Sequence, residues 1–308
     1  GGGGEGDSGA GGNPGGTLGF GFEGGAGGGE RGDSPGTDIP GMDTDTGDGS
    51  DSSSQTPSES DWSGVASLFC FCLARYNSYE FDIIRLQHQL GTGLFACEDQ
   101  MIFSEESHSI CGFNTNSIGP VKSPQRASMP ASSGAWLNTE VFLRIWRLIR
   151  ASGRFRNAEW TVKVDPDTVF FPHVLRDELT FRMNRVWSFA ASTQSRFFFN
   201  TCQHVRGGFY GALEVISRPA VEAYLSNLDS CAVQFDTANI GEDLFCQKCL
   251  ETTGAVGQTG YDLIMDGSCL GDIPACTPGH AAYHPFKSEA AWHQCWSAAR
   301  LPVLGDGG

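Results

Sequence analysis

The chain has 308 residues, 39% of them hydrophobic and 11% aromatic, enough for one large domain or two small ones with a well-filled core. Its formal net charge of −16 excludes duplex nucleic-acid binding as the main task, because neutralising phosphates needs a basic face. No run approaches the ~20 apolar residues of a membrane span. The charge is unevenly spread: residues 1–60 hold 22 of the 42 glycines, eleven acidic residues and one base, Arg31, for −10 there and −6 in the remainder. Such a segment cannot bury enough apolar surface to fold. Residues 1–60 are therefore expected to be a disordered Gly/Ser/Asp-rich tail or stalk, 61–300 the folded domain, and 301–308 a second disordered end. The chain opens on Gly1 rather than Met and reads as a fragment, with any signal peptide or membrane anchor expected in sequence ahead of it.

From Trp62 the texture changes. Val65–Ala74 is a continuous apolar run of strand length, as expected of a parallel strand buried on both faces. A helix is predicted over Ser78–Leu90 with Phe81, Ile84, Leu86 and Leu90 inward, then short strands at Leu94–Cys97 and Met101–Phe103. Cys111–Ser133 is rich in Ser, Pro, Asn and Gly and reads as a long loop. Asn138 and Thr139 cap a helix whose apolar stripe is Val141, Phe142, Ile145, Leu148 and Ile149, stopped near Gly153. Arg144, Arg147 and Arg150 make its solvated face.

Glu159–Asp165 is a predicted strand, and Pro166 ends it because a central strand cannot spare the ladder donor. Pro172 restarts a helix at its first turn. Phe197–Asn200 and Tyr210–Ser217 are further strands, and Pro219 opens a helix with Val221, Tyr224, Leu225 and Leu228 on one face. Gly241 to about Thr252 is helical, Tyr261–Asp266 a strand, and Ser288–Arg300 the last helix. Strands alternating with helices imply an α/β fold: a single domain with a mainly parallel central sheet flanked by helices.

Eleven cysteines fit an oxidising compartment, and the odd number leaves at least one outside any intramolecular pair. Cys246-Gln-Lys-Cys249 lacks a second pair at zinc spacing, so its sulfurs read as buried small hydrophobes or disulfide halves rather than a metal or redox site. Arg31-Gly32-Asp33, in a Gly/Asp-rich segment, reads as compositional chance rather than an adhesion motif.

Three places carry candidate chemistry. Asp165-Pro166-Asp167 follows a buried strand, at the edge where open α/β sheets bind ligands. Two carboxylates one residue apart in a turn can face one hard cation, Mn²⁺ or Mg²⁺, whose other positions phosphate oxygens fill. The plain alternative is a solvated turn. Glu242-Asp243 opens a helix, where the dipole favours an ionised Asp243 able to accept a proton; the same dipole makes an acid a good helix starter with no other role. His284, after Ala281-Ala-Tyr283, offers an imidazole to the same metal, and Lys287 a charge for a phosphate; a structural histidine is the alternative.

Taken in that order, these residues resemble the nucleotide-sugar glycosyltransferases of the GT-A type, nearest to the fringe and β-1,3-galactosyltransferase-like enzymes, over roughly 62–297. The resemblance implies a GT-A-like domain that moves a sugar from a nucleoside-diphosphate-sugar, a UDP-sugar by that likeness, to an acceptor hydroxyl of a glycan or glycoprotein. It implies Asp165, Asp167 and His284 as ligands of Mn²⁺ (or Mg²⁺) and Asp243 as catalytic base, with inversion at the anomeric carbon. Gly207-Gly208 leading into Ser217-Arg218 would line the acceptor side. Arg75, Lys163, Glu242 and Lys287 are the further donor- or acceptor-binding candidates. Secretory-pathway residence, in the Golgi lumen, follows from the likeness and the cysteines. The sequence departs from those relatives in having Pro166 where they usually carry a third Asp.

Two rival readings stand beside it. Asp165-x-Asp167-x-Val169 also fits a haloacid dehalogenase-type phosphatase, with Asp165 as nucleophile and Asp167 as acid/base. A catalytically silent binding domain of the same shape is the other, since function lives in the site and not in the fold.

Overall fold

The computed structural model describes residues 66–110, 112–121, 125–126, 136–187, 195–270 and 275–300, all within the compact unit Glu59–Gly308. The expected tails 1–60 and 301–308, Arg31-Gly32-Asp33 and Cys111 lie outside the described residues.

The chain begins with β1 (Leu68–Leu73), α1 (Tyr79–Leu90) and β2 (Asp99–Ser104). Short pieces follow: β3 (Ser109–Ile110), β4 (Phe113–Asn114), β5 (Asn116–Ser117), β6 (Gln125–Arg126) and β7 (Trp136–Leu137). Then come α2 (Thr139–Ser152), β8 (Trp160–Val164), β9 (Val169–Phe170), α3 (Pro172–Trp187), β10 (Phe197–Asn200) and β11 (Leu213–Ser217). The last third holds α4 (Arg218–Gln234), α5 (Glu242–Thr252), β12 (Val256–Thr259), β13 (Ile264–Asp266), α6 (Gly267–Leu270), β14 (Ala282–His284) and α7 (Glu289–Ala299).

Seven strands form one sheet in the order β12-β10-β11-β8-β1-β2-β5. All run the same way except β11, which is antiparallel to both neighbours. The expected α/β fold with a mainly parallel, helix-flanked sheet is the one observed. Phe69 and Phe71 of β1 point to the face covered by α2, α4 and α5; Leu68, Cys70 and Cys72 point to the face covered by α1 and α3. Because both faces are covered, β1 reads as unbroken apolar sequence rather than alternation. Each buried aromatic or aliphatic side chain contributes ~1.5–3 kcal/mol. A small second sheet, β13-β14-β9, packs with α7 around Val169, Phe171, Tyr283 and Trp292.

Several local expectations are revised. Leu94–Cys97 is not a strand: a 3₁₀ helix spans Gly93–Ala96, entered through Gly91 and Gly93, both at φ +59°. The Tyr210 and Tyr261 strands begin later, at Leu213 and Ile264. The Cys111–Ser133 stretch carries β4, β5 and β6. β12 carries no apolar pattern in the sequence, because three of its four residues are exposed. Arg147 and Arg150 lie exposed on the solvated face as expected, each in a surface pair with Asp229 of α4 at 2.8 and 3.3 Å, whereas half-buried Arg144 donates to the Ile118 and Pro120 carbonyls.

Asn138 sits at the N-cap of α2, as expected, but caps nothing there. Its Oδ1 accepts the Glu242 N–H at 3.3 Å, and the Thr139 hydroxyl donates to the Ile240 carbonyl at 2.6 Å. The start of α2 therefore seats the start of α5. Among the described residues, four disulfides join Cys70–Cys97, Cys202–Cys269, Cys231–Cys249 and Cys276–Cys295. Cys249 is thus a disulfide half, while Cys72 and Cys246 are buried thiols.

Candidate active site

β1 and β8 run parallel, so their carboxyl ends share one edge of the sheet. At that edge Asp165 leaves β8 and the chain turns at once. The Asp165 carbonyl accepts the Thr168 N–H at 3.0 Å, and the turn is pinned on every side. Gln87 of α1 donates to the Pro166 carbonyl, Phe286 N–H to the Asp167 carbonyl, and the Trp292 indole of α7 to the Thr168 carbonyl. Asp167 is 7% exposed. The Tyr79 hydroxyl donates to its Oδ2 at 3.2 Å, and His284 Nε2 lies 3.4 Å from its Oδ1. Burial alone would raise the Asp167 pKa, but His284, Tyr79 and Lys287 together hold it below the ordinary carboxylate range.

The second sheet explains how His284 arrives there. β9 begins two residues after Asp167 and pairs antiparallel with β14, bringing the end of β14 back beside the turn. Asp165, Asp167 and His284 each place one ligand atom within 4.8 Å of the others. Two carboxylate oxygens and an imidazole nitrogen make a hard, oxygen-rich donor set of the kind Mn²⁺ or Mg²⁺ takes. Without an ion, burial would depress the His284 pKa, but Asp167 and Asp266 raise it to about 9, so the imidazole itself partly balances the acids.

Lys163, one turn of pleat before Asp165, points into the protein, 3% exposed. Its Nζ lies 2.8 Å from Asp165 Oδ1, 2.7 Å from Glu242 Oε1 and 3.8 Å from Glu214 Oε1, and it also donates to the Gly211 carbonyl. Burial alone would depress its pKa, but Asp165, Glu242 and Glu214 hold it well above the ordinary lysine value. Glu214 is its cross-strand partner on β11. Burial and the nearby Glu242 carboxylate drive Glu214 upward, towards the neutral acid, whereas Glu242 is raised by burial, against the pull of Lys163, to about 6.

Asp243 stands next to Glu242 in the first turn of α5, half-buried, its Oδ1 accepting the Leu244 N–H at 2.7 Å. Burial raises its pKa, against the Leu244 and Gly211 amides and Lys163, and with the Asp165 charge. When ionised, a carboxylate whose pKa is held upward is a better proton acceptor than a free one. Lys163 thus ties the Asp165 carboxylate to the helix that carries Asp243.

Of the other candidates, Arg75 stands at the same edge, after β1, with its Nε 3.6 Å from Glu105 and its backbone N–H donating to Glu80. Lys287 is exposed and near enough to act on Asp167. Lys163 and Glu242, expected among the binding residues, face inward and are spent on each other. Gly207 and Gly208, at φ +88° and +93°, make a turn packed against Gln247 and Asn200, where a Cβ would come within 2.0 and 2.9 Å of those side chains. Gly211 is the glycine that borders the charged cluster: a Cβ there would lie 3.3 Å from both Lys163 Nζ and Glu242 Oε1.

Four residues went unread in the sequence. Tyr79 opens α1, Glu214 interrupts an apolar strand, and Tyr210 and Asp266 flank His284. The one available signal was Glu214, a charge where Leu213–Ser217 otherwise reads as buried strand.

The sequence matches no protein-family profile and no curated protein. Among solved structures, the chain is similar to a glycosyltransferase involved in the glycosylation of the major capsid of PBCV-1. The identity is 11% and the TM-score 0.38, over 75% of this chain and all of the other.

Proposed function

We propose that the chain is a divalent-metal-dependent glycosyltransferase that transfers a sugar from a nucleoside-diphosphate donor to an acceptor hydroxyl, with inversion. One observation carries the reading: Asp165, Asp167 and His284 converge at the carboxyl edge of β8, while Asp243 is tied to the same point through Lys163. Asp165, Asp167 and His284 would hold Mn²⁺ or Mg²⁺, which supplies charge neutralisation for a diphosphate leaving group. Asp243 takes the proton of the acceptor hydroxyl as that oxygen forms its bond to the anomeric carbon. Lys163 keeps Asp165 and the start of α5 at a fixed spacing, and Lys287 and Arg75 meet the anionic donor from the open side. The base acting opposite the departing diphosphate gives the inverted product.

The four disulfides support an oxidising setting such as the secretory pathway for this reaction. The phosphatase reading gains nothing from the position of Asp165, because the strand bearing it follows β1 and β2 instead of opening the domain. The test is sugar transfer from a panel of nucleoside-diphosphate-sugars with Mn²⁺, comparing the parent with Asp243→Asn. Loss of ~10²–10⁴-fold in kcat, with donor binding kept, is expected of a missing general base. Transfer at the parent rate by Asp243→Asn sinks the base assignment, hydrolysis of simple phosphomonoesters instead sinks the reading, and Mn²⁺-dependent nucleotide binding without turnover makes this a silent binding domain.

A further inference from the structure

We infer that Asp266 is the positioning residue for His284, fixing the ring so that Nε2 is the nitrogen offered to the metal. The inference rests on the metal-dependent reading above and adds to it a residue outside the ligand set. Asp266 ends β13 and His284 ends β14, and the parallel register makes them direct partners. The two side chains therefore meet because of the sheet, and not by the reach of a flexible loop.

Asp266 is 1% exposed. Its Oδ1 accepts the Ser268 N–H at 2.6 Å, and its Oδ2 accepts the Tyr210 hydroxyl at 3.1 Å and meets His284 Nδ1 in a short contact. A carboxylate already accepting from an amide and a phenol has only acceptor capacity left, so the ring nitrogen facing it carries the hydrogen. With Nδ1–H committed to Asp266, Nε2 is the nitrogen turned to Asp167, 3.4 Å from its Oδ1. Asp266 itself stands behind the ring, outside the trio whose ligand atoms lie within 4.8 Å. This is the division of labour by which an outer carboxylate sets the tautomer and aim of a ligating histidine. The Tyr210 hydrogen bond extends the hold to the segment just before Gly211, so the acceptor-side turn and the histidine share one anchor.

The test measures Mn²⁺ binding directly, from the electron paramagnetic resonance signal of the free ion, in the full chain. Four proteins are compared: the parent, Asp266→Asn, His284→Ala and the double variant. Asp266→Asn should weaken Mn²⁺ binding 10–100-fold, and should weaken it less than twofold further once His284 is already alanine. Parent-like affinity in Asp266→Asn overturns the inference while leaving the metal reading intact. So does an equal loss in the His284→Ala background, which makes Asp266 a general source of negative charge. A parent that binds no Mn²⁺ removes both. Tyr210→Phe deletes one hydrogen bond to Asp266 without touching the carboxylate and should cost a few-fold in affinity. If Asp266→Asn does not melt cooperatively, unchanged Mn²⁺ affinity in Tyr210→Phe overturns the inference in its place.

Discussion

At the scale of single residues, the site is a group of carboxylates whose charges are balanced unevenly. Lys163 answers Asp165 and Glu242 from inside, His284 answers Asp167 and Asp266 from the rim, and Glu80 is left with little compensation. Lys163→Met leaves the buried Glu242 carboxylate without its cation, beside the equally buried Glu214. A destabilisation of about 3–5 kcal/mol is expected in urea unfolding, as for other broken buried pairs, with part recovered in Lys163→Met/Glu242→Gln. Glu80 gives a pH signature. Burial, opposed by the Arg75 N–H and helped by Asp165 and Asp167, raises it from 4.5 to about 7, so the folded state holds its proton where the unfolded chain has released it. Its contribution is therefore present below pH 4.5 and lost as pH rises through about 7. Melting temperatures across that window, with a chelator present, should fall less steeply for Glu80→Gln than for the parent. The roles of Lys163 and Glu242 were not legible in the sequence. All five residues of β8 are buried, so strand alternation gave no hint of which way the lysine faced.

At the scale of elements, the sequence was readable wherever burial imposed a period. α2 shows this best: Val141, Phe142, Ile145 and Ile149 of the expected stripe are buried and the helix stops at Gly153 in the left-handed region as expected, although Trp146 is buried in place of Leu148, which is exposed. The same helix shows the limit, because Asn138 and Thr139 were correctly placed at its start but serve α5, about a hundred residues later. Local rules assign a polar side chain to the nearest free backbone group; tertiary packing assigned these to distant ones, an amide for Asn138 and a carbonyl for Thr139. Asn138→Ala should cost about 1 kcal/mol and lower transfer more than Ala substitution at exposed Arg85, since it loosens the helix start that holds Asp243. Equal kinetics in the two variants would show that the α2–α5 contact is scaffold alone. In the Gly207–Gly208 turn, Gly208→Ala demands both a rare backbone conformation and space already filled by Asn200. A loss of ~1–3 kcal/mol is expected in chemical denaturation.

At the scale of the molecule, the α/β class and the mainly parallel sheet were legible because they depend on the order of elements, and that order survives errors of a few residues at each boundary. The pairing of the second sheet was not: a strand ending at Asp266 was expected, but β9, β13 and β14 are two or three residues each, too short to carry a period that shows which strands pair. Yet that sheet is what brings His284 to Asp167 across more than a hundred residues of chain. Ligand linkage tests the assembled site as a whole. A nucleoside diphosphate with Mn²⁺ at a hundredfold its Kd should add about 2.7 kcal/mol, seen as a rise of ~5–10 °C in Tm. Asp165→Asn/Asp167→Asn should abolish the rise. A parent whose Tm ignores the ion and nucleotide has no such site.

The Cys202–Cys269 bond links the residue that leads into the glycine turn to the short helix that follows Asp266, and both sulfurs are buried. It closes 67 residues of chain and by loop entropy is worth about 4 kcal/mol. The choice of expression host then decides what a preparation contains. Protein recovered from a bacterial cytosol would carry this bond open, and would fold without the tether between Cys202 and the helix that follows Asp266. Material routed through a periplasm or an endoplasmic reticulum would carry it closed. A negative assay on cytosolic material would accordingly say nothing about the proposed activity until the thiols have been counted.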